Sequence, residues 1–351
     1  MIIGYVILVV VILLQGFPYV LRPATFTKKF FLYSSLADVL FLAICRSPSF
    51  VADDISYLHI FWGKTSCYFE WGLCQLNHFI TLFSQQAYVY FGILALCVLL
   101  PIWLFIHKYS RNILISILSF VCLMYMFNAV NIVRQFLALA IILMSFSFVT
   151  ERKFWLFLIC VLLACLFHHS AILCISLYWL YTMKASAKNV GILLLGSVLI
   201  FIGFDQLASV YVSLDMSYSG YMTAAAQHAR LSGVIRLMLN FIIMSAALCS
   251  LKHTPSHILE KAKINMNFLA LCSCVSTSAA LLSLQAYHVE RIAYYFYIFN
   301  IITLPEVLVN ISNKALKCIM YMIVLLCLFS YGFVVLWSWQ QKGMIYSFMW
   351  S

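Results

Sequence analysis

The sequence predicts an all-α, polytopic integral membrane protein of about twelve transmembrane helices. Three observations predict it. Hydrophobic residues make up 65% of the 351 and charged residues only 9%, with a mean hydropathy of +1.03. A soluble domain carries roughly 25% charged residues, so this chain must use lipid as its solvent. The apolar residues also recur in runs of about 20, the length of a bilayer-spanning helix, rather than in the strands of about ten alternating residues that build a barrel. Finally, basic breaks between the runs alternate with breaks that are polar and aromatic.

In order, the segments lie at 2–20, 30–46, 87–106, 112–130, 134–150, 154–167, 170–183, 190–204, 233–250, 265–284, 292–308 and 317–338. The first, beginning MIIGYVILVV, has no basic n-region and reads as a retained span, not a cleaved signal peptide. Segments one and two are joined by Arg22, Lys28 and Lys29, and three and four by Lys108 and Arg111. Arg152 and Lys153 join the next pair, and Lys184 and Lys188 the one after. The last two pairs meet at Lys252, Lys261 and Lys263, and at Lys314 and Lys317. These are fourteen of the 21 Lys and Arg, all on one side if the spans alternate. By the positive-inside rule that side is cytoplasmic, and both termini face outward.

The chain reads as one transmembrane domain over 1–351, without internal repeat or low-complexity stretch. Its two longest breaks, 47–86 and 205–232, fall on the outward side. The first carries Trp62, Tyr68, Trp71 and Phe79 and suits an amphipathic segment lying along the membrane surface. Most of the 13 cysteines, such as Cys97, Cys122, Cys160, Cys272 and Cys327, lie within spans as small packing residues. Cys67 and Cys74 share the first outward break, and whether they pair is open.

A net charge of +11 would suggest nucleic acid in a soluble protein. Here most of it is topogenic, and no nucleic-acid partner is expected. The seven remaining cations are Arg46, Lys64, Arg134, Arg230, Arg236, Arg291 and Lys342. Five of the seven are Arg, whereas the cytoplasmic set is mostly Lys. A guanidinium is a planar fork that meets phosphate oxygens two at a time. An outward face that prefers Arg points to an anionic ligand, a phosphate above all.

Arg134 opens an almost wholly apolar run, NIVRQFLALA, with Gln135 beside it. A lone Arg at a span end can simply snorkel to the interface. Four more Arg on the same face, and the N–H groups of a helix N-terminus, favour an anion site. LFHHSAIL places His168, His169 and Ser170 at the next outward corner, as turn formers or as a phosphate donor and proton shuttle. Adjacent histidines diverge on a helix, and no spaced ligand set accompanies them, so no metal is expected. YHVERIAYYF brings His288, Glu290 and Arg291 outside, ahead of Tyr294 and Tyr295. An ion pair, a longer-range role and an aromatic belt are all open there. Asp53, Asp54 and Glu70 are candidate general bases, or else solvated charges and helix caps. Mid-span Asp38 is either functional or the partner of Arg236. There is no P-loop, dinucleotide fingerprint or H-E-x-x-H, which disfavours a nucleotide-driven pump or a cytoplasmic nucleotide-sugar transferase. No cofactor is expected.

In chain order, Asn131-x-x-Arg134-Gln135, His168-x-Ser170-Ala171, Tyr218-x-x-Tyr221 and Glu290-Arg291-x-x-x-Tyr295 resemble the EpsG-like family of bacterial polysaccharide polymerases, which includes many Wzy-type O-antigen polymerases. An earlier family element, an Arg ending the second span and then G-x-D-x-x-x-Tyr, is matched by Arg46, Asp53 and Tyr57. Val51 and Ala52 stand where glycine is usual, and Asp54 offers a register one residue on. Glu70 resembles a later acid of the same loop. The resemblance runs over about residues 40–305.

It implies an enzyme at the outer leaflet of the bacterial cytoplasmic membrane that joins oligosaccharide repeat units carried on undecaprenyl pyrophosphate. Arg134, with Arg291 and either Arg46 or Arg230, would hold the carrier pyrophosphate, helped by Gln135 and Tyr295, and stabilise its charge as the glycosidic bond breaks. Asp53 or Glu70, with His168 behind them, would deprotonate the acceptor hydroxyl. A chain-length regulator and a flippase would be partners in the pathway. A flippase for the same lipid-linked glycan would instead place cations within the spans of two related halves. A ligase would use similar chemistry on another acceptor, and a non-catalytic assembly subunit would need none of these residues.

Overall fold

The computed structural model describes residues 1–47, 52–204, 206, 231–255, 259, 262–285 and 289–341. The regular elements among the described residues are all helices, with no strand among them. They form two compact units, one holding the chain to Tyr178 and the last helix from Cys318, the other holding Trp179–Lys317.

The first unit begins with α1 (Ile2–Leu21) and α2 (Thr25–Ile44). The Thr27 hydroxyl caps the start of α2 by accepting from the Ala24 amide at 3.1 Å. Two short helices, α3 (Ala52–Phe61) and α4 (Trp71–Thr81), fill the long break before α5 (Ala87–Tyr109). Helix α5 is the axis of this unit. It buries Tyr90, Phe91, Ile102 and Ile106, and Trp103 donates from its indole N–H to Ser35 of α2 at 3.1 Å. Then come α6 (Ile113–Cys122) and α7 (Tyr125–Asn131), bent by 54° at Met124, a non-glycine residue in the left-handed region at φ 69°. After Ile132 the chain restarts as α8 (Val133–Met144), continues as α9 (Phe146–Thr150), and turns into α10 (Phe154–Cys165). A 3-10 turn, His169–Cys174, leads to α11 (Ile175–Leu180) and then α12 (Ala187–Ile202). The final helix, Lys314–Gln341, returns against α1 at Gly332, where any Cβ would run into the Tyr5 hydroxyl. That hydroxyl donates to the Phe329 carbonyl at 3.2 Å.

In the second unit α12 packs with helices Leu231–His253, Met266–Leu282, Val289–Tyr297 and Asn300–Asn310. Its core carries polar groups that satisfy one another, as a medium without water demands. Asn300 donates to Asn240 at 3.0 Å and accepts from Ser273 at 3.4 Å. Arg236 pairs with Glu290, whose other oxygen accepts from Tyr294 at 2.7 Å. Glu290 is therefore the carboxylate of Arg236, while Asp38, in the first unit, shares a hydrogen bond with Gln15.

The all-helical, polytopic expectation holds. Among the described residues four helices are long and apolar enough to cross a membrane, or six when each bent pair, 113–131 and 289–310, counts as one crossing. All but one of the other expected spans are shorter. Helix α8 stops at Ser145 before α9 resumes, and α10 ends at Cys165, ahead of the His168 corner. Helix α2 has the length but carries Lys28, Lys29 and Asp38.

Candidate functional site

The site grows from the segment that joins α3 to α4. Cys67 and Cys74 form a disulfide across it, closing a small ring with Phe69 and Glu70 inside. Glu70 is the residue before α4, in extended conformation at φ −60° and ψ 147°. Two residues on, the Gly72 amide donates to the Leu166 carbonyl at 2.7 Å. A Cβ on Gly72 would sit 2.7 Å from that same oxygen, so only glycine allows the approach. The ring is thereby docked on the end of α10, next to His168.

Docking puts the Glu70 carboxylate between Arg134 and His168. Arg134 donates to one oxygen at 2.6 Å, and Nδ1 of His168 lies 2.9 Å from the other. The Arg134 guanidinium also lies over the Phe69 ring, 4.4 Å from its centroid. Phe69 in turn packs on Tyr57, with centroids 5.1 Å apart, and the Tyr57 hydroxyl bonds Arg134. Burial works against ionisation of Glu70, but the hydrogen bonds from His168 and Arg134 outweigh it and hold the carboxyl down at about 2. Burial pushes the Tyr57 phenol up to about 12, against the pull of Arg134. Arg134 stands in the first turn of α8, just past the break at Ile132, and Ile132 offers no side-chain acceptor to the N–H groups there. Arg134 and His168 keep 25% and 26% of their side-chain surface exposed, against 7% for Glu70.

A second ion pair lies beneath. Arg46 grips Asp54 with Nε and Nη2 at 3.0 and 2.9 Å, donates from Nη1 to the Ala43 carbonyl, and lies 4.1 Å from the centroid of the Phe91 ring. Both side chains are almost wholly buried, at 2% and 0% exposure. Burial raises the Asp54 carboxyl above its usual range despite the guanidinium.

Of the predicted residues, Arg134, Glu70 and His168 come together. Arg46 is joined to Asp54, the alternative register, rather than to Asp53, which is half-buried in the first turn of α3. Gln135 is buried beside Arg134. Arg291 and Tyr295 stand on Val289–Tyr297 of the other unit, where Tyr295 is fully buried. Arg230, Tyr218, Tyr221 and His288 lie outside the described residues. Sequence reasoning missed Phe69 and Gly72. Their signal was the aromatic and glycine flanks of Glu70 in CYFEWGLC.

No curated protein and no solved structure matches the chain. The EpsG family matches it over residues 30–348, nearly its whole length. The chain belongs to the EpsG family.

Proposed function

We propose that this protein is a polysaccharide polymerase that joins oligosaccharide repeat units carried on undecaprenyl pyrophosphate, at the outer leaflet of the bacterial cytoplasmic membrane. Family membership supports a polymerase-type activity. The observation that carries the chemistry is the quarter-exposed Arg134 and His168 with one carboxylate between them. Two hydrogen-bond donors converge where a pyrophosphate would bind, and a base lies within reach of both.

In the reaction the acceptor hydroxyl oxygen bonds to the anomeric carbon of the donor. The bond from that carbon to the pyrophosphate oxygen breaks, and the hydroxyl proton passes to a base. Arg134 and Nε2 of His168 would hold the pyrophosphate and meet the charge that develops on it. At rest Glu70 occupies Arg134 and Nδ1 of His168. A donor pyrophosphate that takes the Arg134 fork releases Glu70, and the nearby phosphate charge then raises its carboxyl from about 2 toward the working range of a general base. Asp53 is the neighbouring carboxylate for the same task. The Arg46–Asp54 pair lies too deep to exchange partners and would brace the start of α3 beneath the site.

In this topology the long helices, the bent pairs, α2 and the shorter apolar helices make about twelve crossings. The Cys67–Cys74 disulfide fits a site facing an oxidising compartment. The test is deletion of the gene in its native host with the surface glycans run on a gel. Loss of the ladder, leaving lipid core plus one repeat unit, is the expected result. A bare core with lipid-linked polymer accumulating would indicate a ligase. A bare core with single lipid-linked units held inside would indicate a flippase.

A further inference from the structure

A cavity of about 480 Å³ opens in the first unit among α4, α5, α8 and α10. Its walls carry no charged side chain. It lies within the range of roughly 300–1,000 Å³ typical of ligand pockets. Proline makes part of the space. Pro101 inside α5 cannot donate to the Cys97 carbonyl, and both residues line the cavity. Small side chains make the rest, with Ala140 and Ser145 on one wall and Cys160 on another. Helix interiors normally close such gaps.

The cavity has a direction. Leu137, Ile141 and Met144 line it, and Phe148 follows in α9. Counted from Arg134 the three positions in α8 are spaced by three, four and three residues, which places them on the helix face that Arg134 heads. From Arg134 to Met144 the rise is about 15 Å, roughly half of a hydrocarbon core. At the head, Leu76 follows the disulfide ring and Phe167 precedes His168, and both line the cavity. Met144, toward the far end, is 53% exposed. The shape is an uncharged trough with a cation at one end and an open side at the other. That complements an amphiphile with an anionic head and a long hydrocarbon tail, and it does not suit a sugar, which would leave hydroxyls unpaired.

We propose that this trough seats the isoprenoid chain of the lipid whose pyrophosphate Arg134 holds. The assignment rests on the donor site described above and adds to it the place where the carrier lies.

The test installs a photoreactive side chain at Met144 in the full-length protein, reconstituted in lipid vesicles. Three sugar-free probes are used: a long-chain polyprenyl pyrophosphate, its short-chain counterpart and a diacyl phospholipid. The long-chain probe should label Met144, the short-chain probe should not, and Arg134→Gln should cut labelling about tenfold at sub-saturating probe. Labelling by phospholipid that ignores Arg134→Gln would show annular lipid in the trough and overturn the proposal, as would no labelling by the long-chain probe. A second variant, Ile141→Trp, fills the trough. It should raise KM for a long-chain donor about tenfold with kcat little changed, and leave a short-chain donor unaffected. Equal losses on both donors would also overturn the assignment. Because the probes carry no sugar, labelling by a protein that makes no polymer would sink the polymerase function and leave the trough standing.

Discussion

If Glu70 stands where a donor phosphate must bind, its removal should tighten anion binding while it abolishes turnover. The perturbation is Glu70→Gln, which keeps the shape and removes the charge. Glu70 accepts from Arg134 at 2.6 Å and lies 2.9 Å from His168 Nδ1. Hydrogen bonds to charged groups contribute about 1.5–3 kcal/mol each, against about 0.5–1.5 kcal/mol for neutral ones. An incoming pyrophosphate must displace the Arg134 bond first. Replacing carboxylate by amide lowers that cost by about 1–1.5 kcal/mol, and the quarter exposure of Arg134 keeps it at the lower end. The expected result is inorganic pyrophosphate bound about five- to tenfold more tightly by the variant. Polymer formation should fall about 10²–10⁴-fold if Glu70 is the base. Calorimetric titration of the purified protein reads the first quantity, and turnover of a lipid-linked donor reads the second. Equal or weaker pyrophosphate binding by Glu70→Gln would refute the idea that the carboxylate occupies the anion's place.

Other perturbations follow from the same contacts. Glu70 is held at about 2 in the resting protein and should be released when the donor takes Arg134, so the acid limb of kcat should lie at higher pH than the acid limb of kcat/KM; coincident limbs would count against release. A depressed carboxyl adds stability that is complete above its unfolded value of about 4.3 and fades as pH falls toward 2; thermal unfolding of the wild type, but not of Glu70→Gln, should therefore shift across that window. Asp54→Asn leaves Arg46 buried without its carboxylate and should cost about 3–5 kcal/mol, seen as loss of folded protein in detergent; an unchanged melting temperature would contradict the burial. Gly72→Ala forces its Cβ against the Leu166 carbonyl and should lower turnover with a smaller effect on melting, because the ring carrying Glu70 is pushed off α10.

Much of the fold was legible because lipid imposes one rule on every segment. Runs of apolar residues punctuated by Lys and Arg located most of the long apolar helices, since a chain in hydrocarbon must satisfy its backbone internally. Local breaks were not legible. The bend at Met124 and the restart at Ile132 occur inside apolar sequence without proline or glycine, and tertiary packing sets them. For the site, Arg134, Glu70 and His168 were each visible as a polar residue beside an apolar run. Their convergence was not, because it depends on one close backbone approach, at Gly72, across 94 positions of chain. Asp53 and Asp54 could not be told apart in the sequence; α3 decides between them by aiming Asp54 at Arg46.

Counting charges would have misjudged the arginines. Among the described residues three of them, Arg46, Arg134 and Arg236, each have a carboxylate partner, so none is a bare cation waiting for an anion. Burial separates them. Arg46 and Asp54 are 2% and 0% exposed, and Arg236 and Glu290 are 12% and 10%. Opening either pair would strand a charge in a medium that cannot solvate it, at several kcal/mol. Arg134 is 25% exposed and its carboxylate has a second partner in His168. When a phosphate takes Arg134, Glu70 still has a hydrogen-bond partner, and the phosphate restores the charge on the guanidinium's other side. Exchange is inexpensive only there. Three arginines that look alike in sequence thus divide into two that hold the fold and one that can let go of its partner, and a ligand site needs the one that can let go.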